Sequence, residues 1–392
     1  MGRVPAAEEM GSSVAKRATS SPPVLPGYTY IRPLGSGGFA DVFLYEQDMP
    51  RRVVAVKVLL SDAINPDVLR TFNVEADILA RLSAHPSIVT IYQASISADG
   101  RPYFVMEYCP DAMSSRYKKA PLSVEEVLAT GVRMAAALET AHRSGLLHRD
   151  IKPSNVLLTS LGAPVLADFG IAAAVSAEDG EPELFAMSVP WSSPEVLEER
   201  VSGSIPSEIW SLGATLYTLL AGRSPFELET RAKNTREMLS ARIVKAVYRP
   251  VGRDDVPERV EGILARAMNR APARRHTSMM ELAEELRWAQ YELGVAPTAL
   301  EVAATEWAGA SAPIDFSDTA ARGPVISTVN PDSRRAERAR QAQQAQAVDR
   351  DGLPVASRRG ASPMRAAVIG AVAGAGVLAL VGGIVLVATG IL

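Results

Sequence analysis

Apolar positions divide the chain into a strand-rich part and a later helix-rich part. Short runs rich in Val, Ile, Tyr and Phe predict the strands of an antiparallel sheet. These strands lie at residues 28–34, 41–45, 53–59, 88–94 and 103–108. Apolar residues at helical spacing predict one helix inside this part, at residues 66–83, and further helices after residue 112. The later helices lie at residues 123–142, 207–221, 235–245, 256–268 and 278–291.

This order of elements predicts an α+β fold of two lobes. The smaller, β-rich N-lobe covers about residues 28–108, and the larger, helical C-lobe covers about residues 112–292. The flanking segments lack apolar periodicity. Residues 1–27 are small, polar and proline-containing, and residues 293–365 are rich in Ala, Ser, Pro, Arg and Gln. We therefore expect a disordered N-terminal segment and a largely disordered linker after the folded domain, which spans residues 28–292.

The last segment is the most apolar part of the chain. Residues 366–392 carry no charge and consist almost entirely of Ala, Val, Leu, Ile and Gly. At about 1.5 Å per residue, a helix of this length exceeds the roughly 30 Å hydrocarbon core of a bilayer. We expect a single transmembrane helix at residues 366–390. A buried core helix is the alternative, but the preceding linker supplies no folded domain around it.

Charge beside this segment predicts its orientation. Arginines cluster between residues 334 and 365, on the N-terminal side of the expected span. Positive charge favours the cytoplasmic side, so we expect the folded domain to be cytoplasmic, at the inner face of the cell membrane. Gly370 and Gly374 form a G-x-x-x-G pattern that lets two helices approach closely and predicts a homodimer as one option.

Overall composition excludes some classes of function. The net charge of −3 gives no reason to expect nucleic acid as a partner. The single cysteine, Cys109, rules out an intrachain disulfide and a multi-cysteine metal site, which fits a reducing compartment. Its default interpretation is a small packing residue.

Two features of the β-rich part suggest phosphate binding. Gly35-Ser36-Gly37-Gly38-Phe39-Ala40-Asp41-Val42 joins two predicted strands, and its bare amides could fold over phosphates, although an ordinary tight turn has the same pattern. Lys57 lies in an apolar strand, where an unpaired ammonium is costly to bury. It therefore needs anionic partners. These are either a triphosphate together with Glu75 of the following helix, or a structural ion pair alone.

Polar residues in the helical part complete a set. The loop His148-Arg149-Asp150-Ile151-Lys152-Pro153-Ser154-Asn155 follows a predicted helix, and Asp168-Phe169-Gly170 follows an apolar strand. With the glycine run and Lys57, this ordered set resembles the bacterial, eukaryotic-like serine/threonine protein kinase family in a membrane-anchored form. The resemblance covers about residues 28–291. It implies a bilobal kinase fold and transfer of the ATP γ-phosphate to serine and threonine hydroxyls of proteins, the chain itself included.

The resemblance also implies roles for individual residues. Asp150 would orient the acceptor hydroxyl and accept its proton, with Lys152 as the cation beside it and the mark of serine/threonine specificity. Asn155 and Asp168 would hold Mg²⁺, with Mn²⁺ as an alternative. Residues of both lobes would bind ATP. They are Leu34, Gly35, Ser36, Gly37, Gly38, Phe39, Ala40, Val42, Ala55, Lys57, Glu75, Met106, Glu107, Cys109 and Leu157.

The segment after Asp168 would control activity. Ser188 takes the place of the threonine that contacts the catalytic aspartate, and a serine hydroxyl can make the same hydrogen bond. Ser176 is the expected regulatory phosphorylation site, where a phosphate could pair with Arg149. Glu195 would end the segment and pair with Arg275.

The chain departs from the family pattern in several places. Ala40 replaces the third loop glycine, and residues 168–195 contain no threonine. Glu208 replaces an aspartate that binds the backbone of the catalytic loop, and its extra methylene puts that anchor in doubt. Two interpretations follow, an active kinase or a membrane-tethered pseudokinase that serves as a scaffold. A kinase-like small-molecule phosphotransferase is disfavoured because the C-lobe resembles a peptide-binding lobe.

Overall fold

The structure of the protein, a computed structural model, describes residues 19–38, 40–60, 66–169 and 188–303. All of them belong to the first of two units into which the chain divides, Met1–Pro313 and Ile314–Leu392. The expected span at residues 366–390, Phe39 and Ser176 lie outside the described residues. No helix within the described ranges has the length and apolar character needed to cross a membrane.

An antiparallel sheet forms the N-lobe. Its strands are β1 (Tyr28–Ser36), β2 (Ala40–Gln47), β3 (Arg52–Leu59), β4 (Ile91–Ile96) and β5 (Pro102–Glu107). They are arranged in the order β1-β2-β3-β5-β4, and helix α1 (Pro66–Leu82) connects β3 to β4. Successive residues of β3 face opposite sides of the sheet, so Val54, Val56 and Val58 enter one apolar cluster while Ala55 enters another. The predicted N-lobe and its helix are therefore confirmed.

Residues 19–27 lie against the sheet. Leu25 is buried in the cluster that contains Phe43 and Tyr45, and the Tyr45 hydroxyl donates a 2.6 Å hydrogen bond to the Pro23 carbonyl. The guanidinium of Arg101, itself buried, donates to the Ser21 carbonyl at 2.9 Å. These nine residues differ from the expectation of disorder for residues 1–27. The physical reason is that Leu25 packs on an apolar surface of the sheet. The mostly polar composition of the segment gives no indication of this contact.

The C-lobe is helical apart from a small three-stranded sheet. The sheet contains β6 (Asp111–Ala112), β7 (Val156–Leu158) and β8 (Pro164–Leu166). The helices are α2 (Met113–Tyr117), α3 (Val124–Arg143), α4 (Pro194–Leu197), α5 (Ile205–Ala221), α6 (Arg236–Lys245), α7 (Glu258–Ala267) and α8 (Met279–Glu292). Each long helix lies where the sequence predicted one.

Helix α3 is the centre of this lobe. It begins at the predicted cap, where the Ser123 hydroxyl accepts a hydrogen bond from the Glu126 amide. Gly131 lets α3 approach α5 and α8 closely, since an added Cβ would lie 2.8 Å from Leu286 and 2.9 Å from Leu216. The helix therefore forms the base on which the catalytic loop, which follows it, is held.

The residues that follow α8 pack against the rest of the domain. Residues 295–303 run along the surface of α3, where the Ala303 amide donates to the Thr140 hydroxyl at 3.3 Å. In the loop between α1 and β4, the His85 imidazole lies 2.6 Å from the Glu301 carbonyl. These residues differ from the expectation that the disordered linker begins at residue 293, because side chains of α3, α8 and the N-lobe hold them.

Candidate active site

The apolar residues among those predicted to bind ATP lie together between the lobes. Ala55 and Met106 belong to one buried cluster with Val89, Val165 and Ala167. The other predicted members border that cluster and are half-buried. They are Leu34, Val42, Cys109 and Leu157. Side chains from β1, β2, β3, β5 and β7 thus provide two apolar walls, from the N-lobe and the C-lobe.

The connection between the lobes offers hydrogen-bonding groups at this cleft. The Glu107 amide donates to the Thr90 carbonyl at 2.9 Å, which fixes the end of β5. The Cys109 amide has no hydrogen-bond acceptor among the described residues. This amide, beside an apolar slot, is suited to donate a hydrogen bond to the edge of a purine base.

The glycine run forms a hairpin between β1 and β2. Gly35 pairs with Val42 and Ser36 with Asp41, and the Gly37 amide donates to the Ala40 carbonyl at 2.8 Å. A Cβ on Gly37 would lie 3.2 Å from that carbonyl, so the turn favours glycine there. Ala40 is the first residue of β2 in an ordinary strand conformation, which explains why this position tolerates a side chain. Gly38 follows Gly37 in the turn.

Lys57 reaches from the N-lobe to the C-lobe. Its ammonium lies 2.9 Å from the Asp168 carboxylate, with 16% of the lysine side chain and 43% of the aspartate side chain exposed. The charge of Lys57 holds the pKa of Asp168 below its ordinary value, so the carboxylate is ionised at neutral pH. Glu75 lies on α1, and its side chain is outside the described residues.

Asp150 is surrounded by hydrogen-bond donors. Its carboxylate accepts from the Lys152 ammonium at 2.6 Å, from the Ser188 hydroxyl at 2.7 Å and from the Asn155 amide at 3.0 Å. Lys152 also donates to the Ser188 hydroxyl at 2.8 Å. The expected Ser188 contact is therefore present in the structure. About a third of the Asp150 side chain is exposed, which leaves room for an acceptor hydroxyl to approach.

Asn155 and Asp168 fit a hard divalent cation. The Asn155 amide nitrogen donates to the backbone and side chain of Asp150, leaving its amide oxygen with only a 3.5 Å contact from Ser154. Among the described residues, no group of three or more His, Cys, Asp or Glu could hold a metal alone. Two oxygen ligands match Mg²⁺, which binds a few protein oxygens and completes its shell with water and phosphate.

His148 joins the two catalytic segments beneath the surface. Its Nε2 lies 2.9 Å from the Ala167 carbonyl, which can only accept, and its Nδ1 accepts from the Asp150 amide at 3.3 Å. Burial lowers the pKa of His148, and the neutral ring matches these two roles. The ring also packs on Phe169, with centroids 4.6 Å apart. Asp150 and Asp168 are thereby held relative to each other.

Comparison with known proteins agrees with this geometry. The profile of the protein kinase domain matches residues 28–288. The chain belongs to the protein kinase family. The kinase is 38% identical over 274 residues to serine/threonine-protein kinase PknK of Mycobacterium tuberculosis, covering 69% of this chain and 24% of the relative. It is 33% identical over 267 residues to serine/threonine-protein kinase PrkC of Bacillus subtilis, covering 67% of this chain and 40% of the relative.

A human relative extends the comparison. Serine/threonine-protein kinase ULK3 of Homo sapiens is 31% identical over 259 residues, covering 65% of this chain and 53% of the relative. The chain spans about a quarter of the length of the PknK relatives that it matches. The protein kinase family uses ATP and a divalent metal.

Glu208 keeps the catalytic loop of the kinase anchored. One carboxylate oxygen accepts from the Arg149 amide at 2.6 Å, and the other lies 2.6 Å from His142 Nε2. Glu208 and His142 are both almost fully buried. The extra methylene therefore does not remove the anchor, and the longer acid spans two partners. Sequence reasoning missed His142, because it lies 66 residues from Glu208 and no local pattern connects them.

We expect Glu208→Asp, which restores the more usual acid, to destabilise this kinase. The shorter side chain cannot reach both Arg149 and His142, and one buried group is left unpaired at a cost of about 1–3 kcal/mol. Urea unfolding measures this free energy. Glu126→Asp, at the partly exposed pair with Arg116, is the matched control with an expected change below about 1 kcal/mol. Equal stability of the two variants would contradict the dual anchor.

Glu195 and Arg275 form a buried pair at the end of the activation segment. The two guanidinium nitrogens donate to the two carboxylate oxygens at 2.6 and 2.8 Å. Arg275 also donates to the Pro206 carbonyl at 2.8 Å and lies over the Trp210 ring at 5.0 Å. Burial alone would raise the pKa of Glu195, but the hydrogen bonds and charge of Arg275 bring it below its ordinary value. The pair fixes α4 to the C-lobe.

Cys109 should be a poor nucleophile despite its position at the cleft. Burial, aided by the charge of Glu107, raises the pKa of its thiol to about 12. Because the thiolate is the reactive form, we expect iodoacetamide at pH 8 to react about a thousandfold more slowly than with a free cysteine. Cys109 is the only cysteine, so total alkylation measured by intact mass reports on it alone. The urea-unfolded chain is the control, and an equal rate in the folded protein would contradict the assignment.

Proposed function

We propose that the protein is an active serine/threonine protein kinase that transfers the ATP γ-phosphate to proteins, itself included. The observation that carries this proposal is the environment of Asp150. Its side chain is about a third exposed, lies between Lys152, Ser188 and Asn155, and is joined through His148 to the segment of Asp168. A scaffold would not need this carboxylate to be both held and accessible. The serine/threonine kinases among the relatives support the same class of acceptor.

Different residues of the cleft have different roles in phosphoryl transfer. Asp150 orients the acceptor hydroxyl and accepts its proton, while Lys152 balances negative charge beside it. Lys57 binds phosphate oxygens of ATP, and the Gly35–Gly38 hairpin covers them with backbone amides. Asn155 and Asp168 would hold Mg²⁺, with Mn²⁺ as an alternative. When bound, the cation neutralises negative charge on the phosphates.

Labelled ATP tests this function directly. The full chain is incubated with Mg²⁺, γ-labelled ATP and a generic basic protein substrate, and the labelled amino acids are identified after acid hydrolysis. We expect phosphoserine and phosphothreonine in the substrate and phosphate on the chain itself. Label confined to phosphotyrosine would contradict the proposed specificity. Label no greater than in Asp150→Asn would support a membrane-tethered pseudokinase instead.

We further propose that residues 366–390 anchor the kinase in the cell membrane as a single-pass helix, with the kinase domain in the cytoplasm. The uncharged run and the arginines that precede it support this orientation. Leu378→Arg with Leu380→Arg should release the chain from the membrane pellet, because each arginine costs about 2.5–3.5 kcal/mol at the centre of a span. Leu378→Val with Leu380→Val is the control, and release of the unaltered chain by alkaline carbonate would oppose the proposal.

Helix pairing in the membrane is a separate proposal. Gly370 and Gly374 would let two copies of the span approach closely, giving a homodimer in the lipid bilayer. Gly370→Leu should lower crosslinking between copies in membranes, whereas Gly390→Leu, outside the G-x-x-x-G pattern, should not. Equal crosslinking in both variants would count against pairing through this motif.

Ser176 is proposed as a regulatory autophosphorylation site. A phosphate there adds about −1.5 to −2 charge, which can pair with Arg149 beside the catalytic aspartate. Ser176→Ala should then lower both activity and phosphate content, and Ser311→Ala serves as a control at a serine outside the kinase domain. Unchanged activity and phosphate content in Ser176→Ala would refute the assignment.

A further inference from the structure

The segment after the last helix lies beyond the part of the chain that the kinase family profile matches, which ends at residue 288. Residues 295–303, called the tail segment below, show alternating burial. Thr298, Leu300 and Val302 are half-buried, whereas the residues between them are exposed. This period of two is that of an extended chain with one face against the protein. Leu300 packs against the main core cluster.

One end of the tail segment is held by a buried amide. Gln290 on α8 is 1% exposed, so its side-chain amide would be costly to leave without partners. Its nitrogen donates to the Thr298 hydroxyl at 2.8 Å, and its oxygen accepts from the Thr298 backbone amide at 2.8 Å. A single residue of the tail segment therefore satisfies both ends of this side chain.

The other end of the tail segment meets His85, in the loop between α1 and β4. The Ser87 amide donates to His85 Nδ1 at 3.0 Å, so Nδ1 must be the unprotonated nitrogen of a neutral ring. Nε2 then carries the proton and donates to the Glu301 carbonyl at 2.6 Å. Burial lowers the pKa of His85, in agreement with the neutral ring. His85 thus connects the tail segment to the backbone of the N-lobe loop.

The same loop is bonded to the strand that precedes the metal-binding aspartate. The Leu166 amide donates to the Ser87 carbonyl at 2.9 Å, and the Val89 amide donates to the Leu166 carbonyl at 2.9 Å. Leu166 is fully buried and lies two residues before Asp168. A continuous series of hydrogen bonds therefore runs from Glu301 through His85 and Ser87 to β8.

We propose that the tail segment is a positioning element of this kinase: it fixes the loop at His85, and through that loop it fixes β8 and Asp168 in the arrangement needed for phosphoryl transfer. The alternative is a passive start of the linker that merely rests on α3. The effect on phosphoryl transfer rests on the proposed kinase function, whereas the effect on the His85 loop does not.

Leu300→Asp in the full chain tests the proposal. A charge on the face that packs on the core should detach the tail segment, and Ala299→Asp places the same charge on an exposed neighbour as the matched control. Hydrogen exchange followed by mass spectrometry reports on peptides that contain Ser87 and Leu166. We expect exchange in both peptides to rise about tenfold in Leu300→Asp and to stay at the wild-type rate in Ala299→Asp.

Kinetics provide a second measurement. Leu300→Asp should lower kcat about tenfold while the KM for the protein substrate stays unchanged, because Asp168 does not bind that substrate. Thr298→Val keeps the shape of the side chain and removes its hydroxyl. It should also raise the exchange of the two peptides and lower kcat, but by less than Leu300→Asp does. Leu300→Met should behave as the wild type.

Two results would overturn the proposal. One is equal exchange of the Ser87 and Leu166 peptides in Leu300→Asp and Ala299→Asp. The other is a rise in exchange spread evenly over α3, α5 and α8, which would indicate general loosening of the C-lobe. Exchange is measured without substrate, so its result stands independently of catalysis. Lack of phosphate transfer by the wild type would count against the proposed function alone.

Discussion

Asp150→Asn should lower kcat for phosphoryl transfer by about 10²- to 10⁴-fold, the range that a positioned proton acceptor contributes. Asparagine keeps the size of the side chain but cannot accept the proton of the attacking hydroxyl. The surrounding contacts can adapt, since the new amide oxygen can face Lys152 and Asn155 while the amide nitrogen donates to the Ser188 hydroxyl. We therefore expect the loss in kcat without a loss of the fold.

Initial rates with labelled ATP measure this effect, and thermal unfolding with and without ATP shows that the variant still folds and binds nucleotide. Asp255→Asn is the matched control, because Asp255 is an exposed carboxylate paired with Arg253 far along the chain. Its kcat should equal that of the wild type. Similar rates for Asp150→Asn and Asp255→Asn would remove Asp150 from the mechanism.

Arg275→Met should lower the free energy of unfolding by about 3–5 kcal/mol, since it leaves the Glu195 carboxylate buried without its partner. Methionine retains much of the side-chain volume beside Trp210, so the loss reflects the unpaired charge. A second substitution, Glu195→Gln, should recover part of the loss because no uncompensated buried charge then remains. Urea unfolding of the wild type, the single variant and the double variant measures both steps.

The pH dependence of this variant has a defined sign. The native pKa of Glu195 is below its ordinary value of 4.5, so the pair stabilises the fold fully above about pH 4.5. That stabilisation is lost as the pH falls through the lower native pKa, and the difference between wild type and Arg275→Met should shrink there. Arg116→Met, at the partly exposed pair with Glu126, should cost less than about 1 kcal/mol and is the control. A similarly small cost for Arg275→Met would contradict the assignment.

Much of the fold could be predicted because its elements carry local signals. The α3 helix was predicted from its apolar spacing and from Ser123, and the structure has both the helix and the cap. The site was harder to predict from residues alone. Lys57 and Asp168 are 111 positions apart, and only the resemblance to a family indicated that they meet.

Contacts particular to this chain could not be predicted. Leu25 is one apolar residue among prolines, and its burial depends on a surface formed by β2 and β3. Glu301 contacts His85 through its backbone carbonyl, and such a contact does not depend on the residue type, so the sequence pattern cannot predict it. Glu208 looked like a weakened anchor because its partner His142 was not recognised. In each case the missing information was the three-dimensional position of a residue far away in the chain.

The packing of residues 19–27 has a practical consequence for recombinant work on this kinase. The family match begins at residue 28, and a fragment started there would lack Leu25, the Pro23 carbonyl and the Ser21 carbonyl. The aromatic surface around Phe43 and Tyr45 would then face solvent. Such a fragment should self-associate in sedimentation experiments and give low soluble yields, whereas a fragment that begins at residue 19 should remain monodisperse.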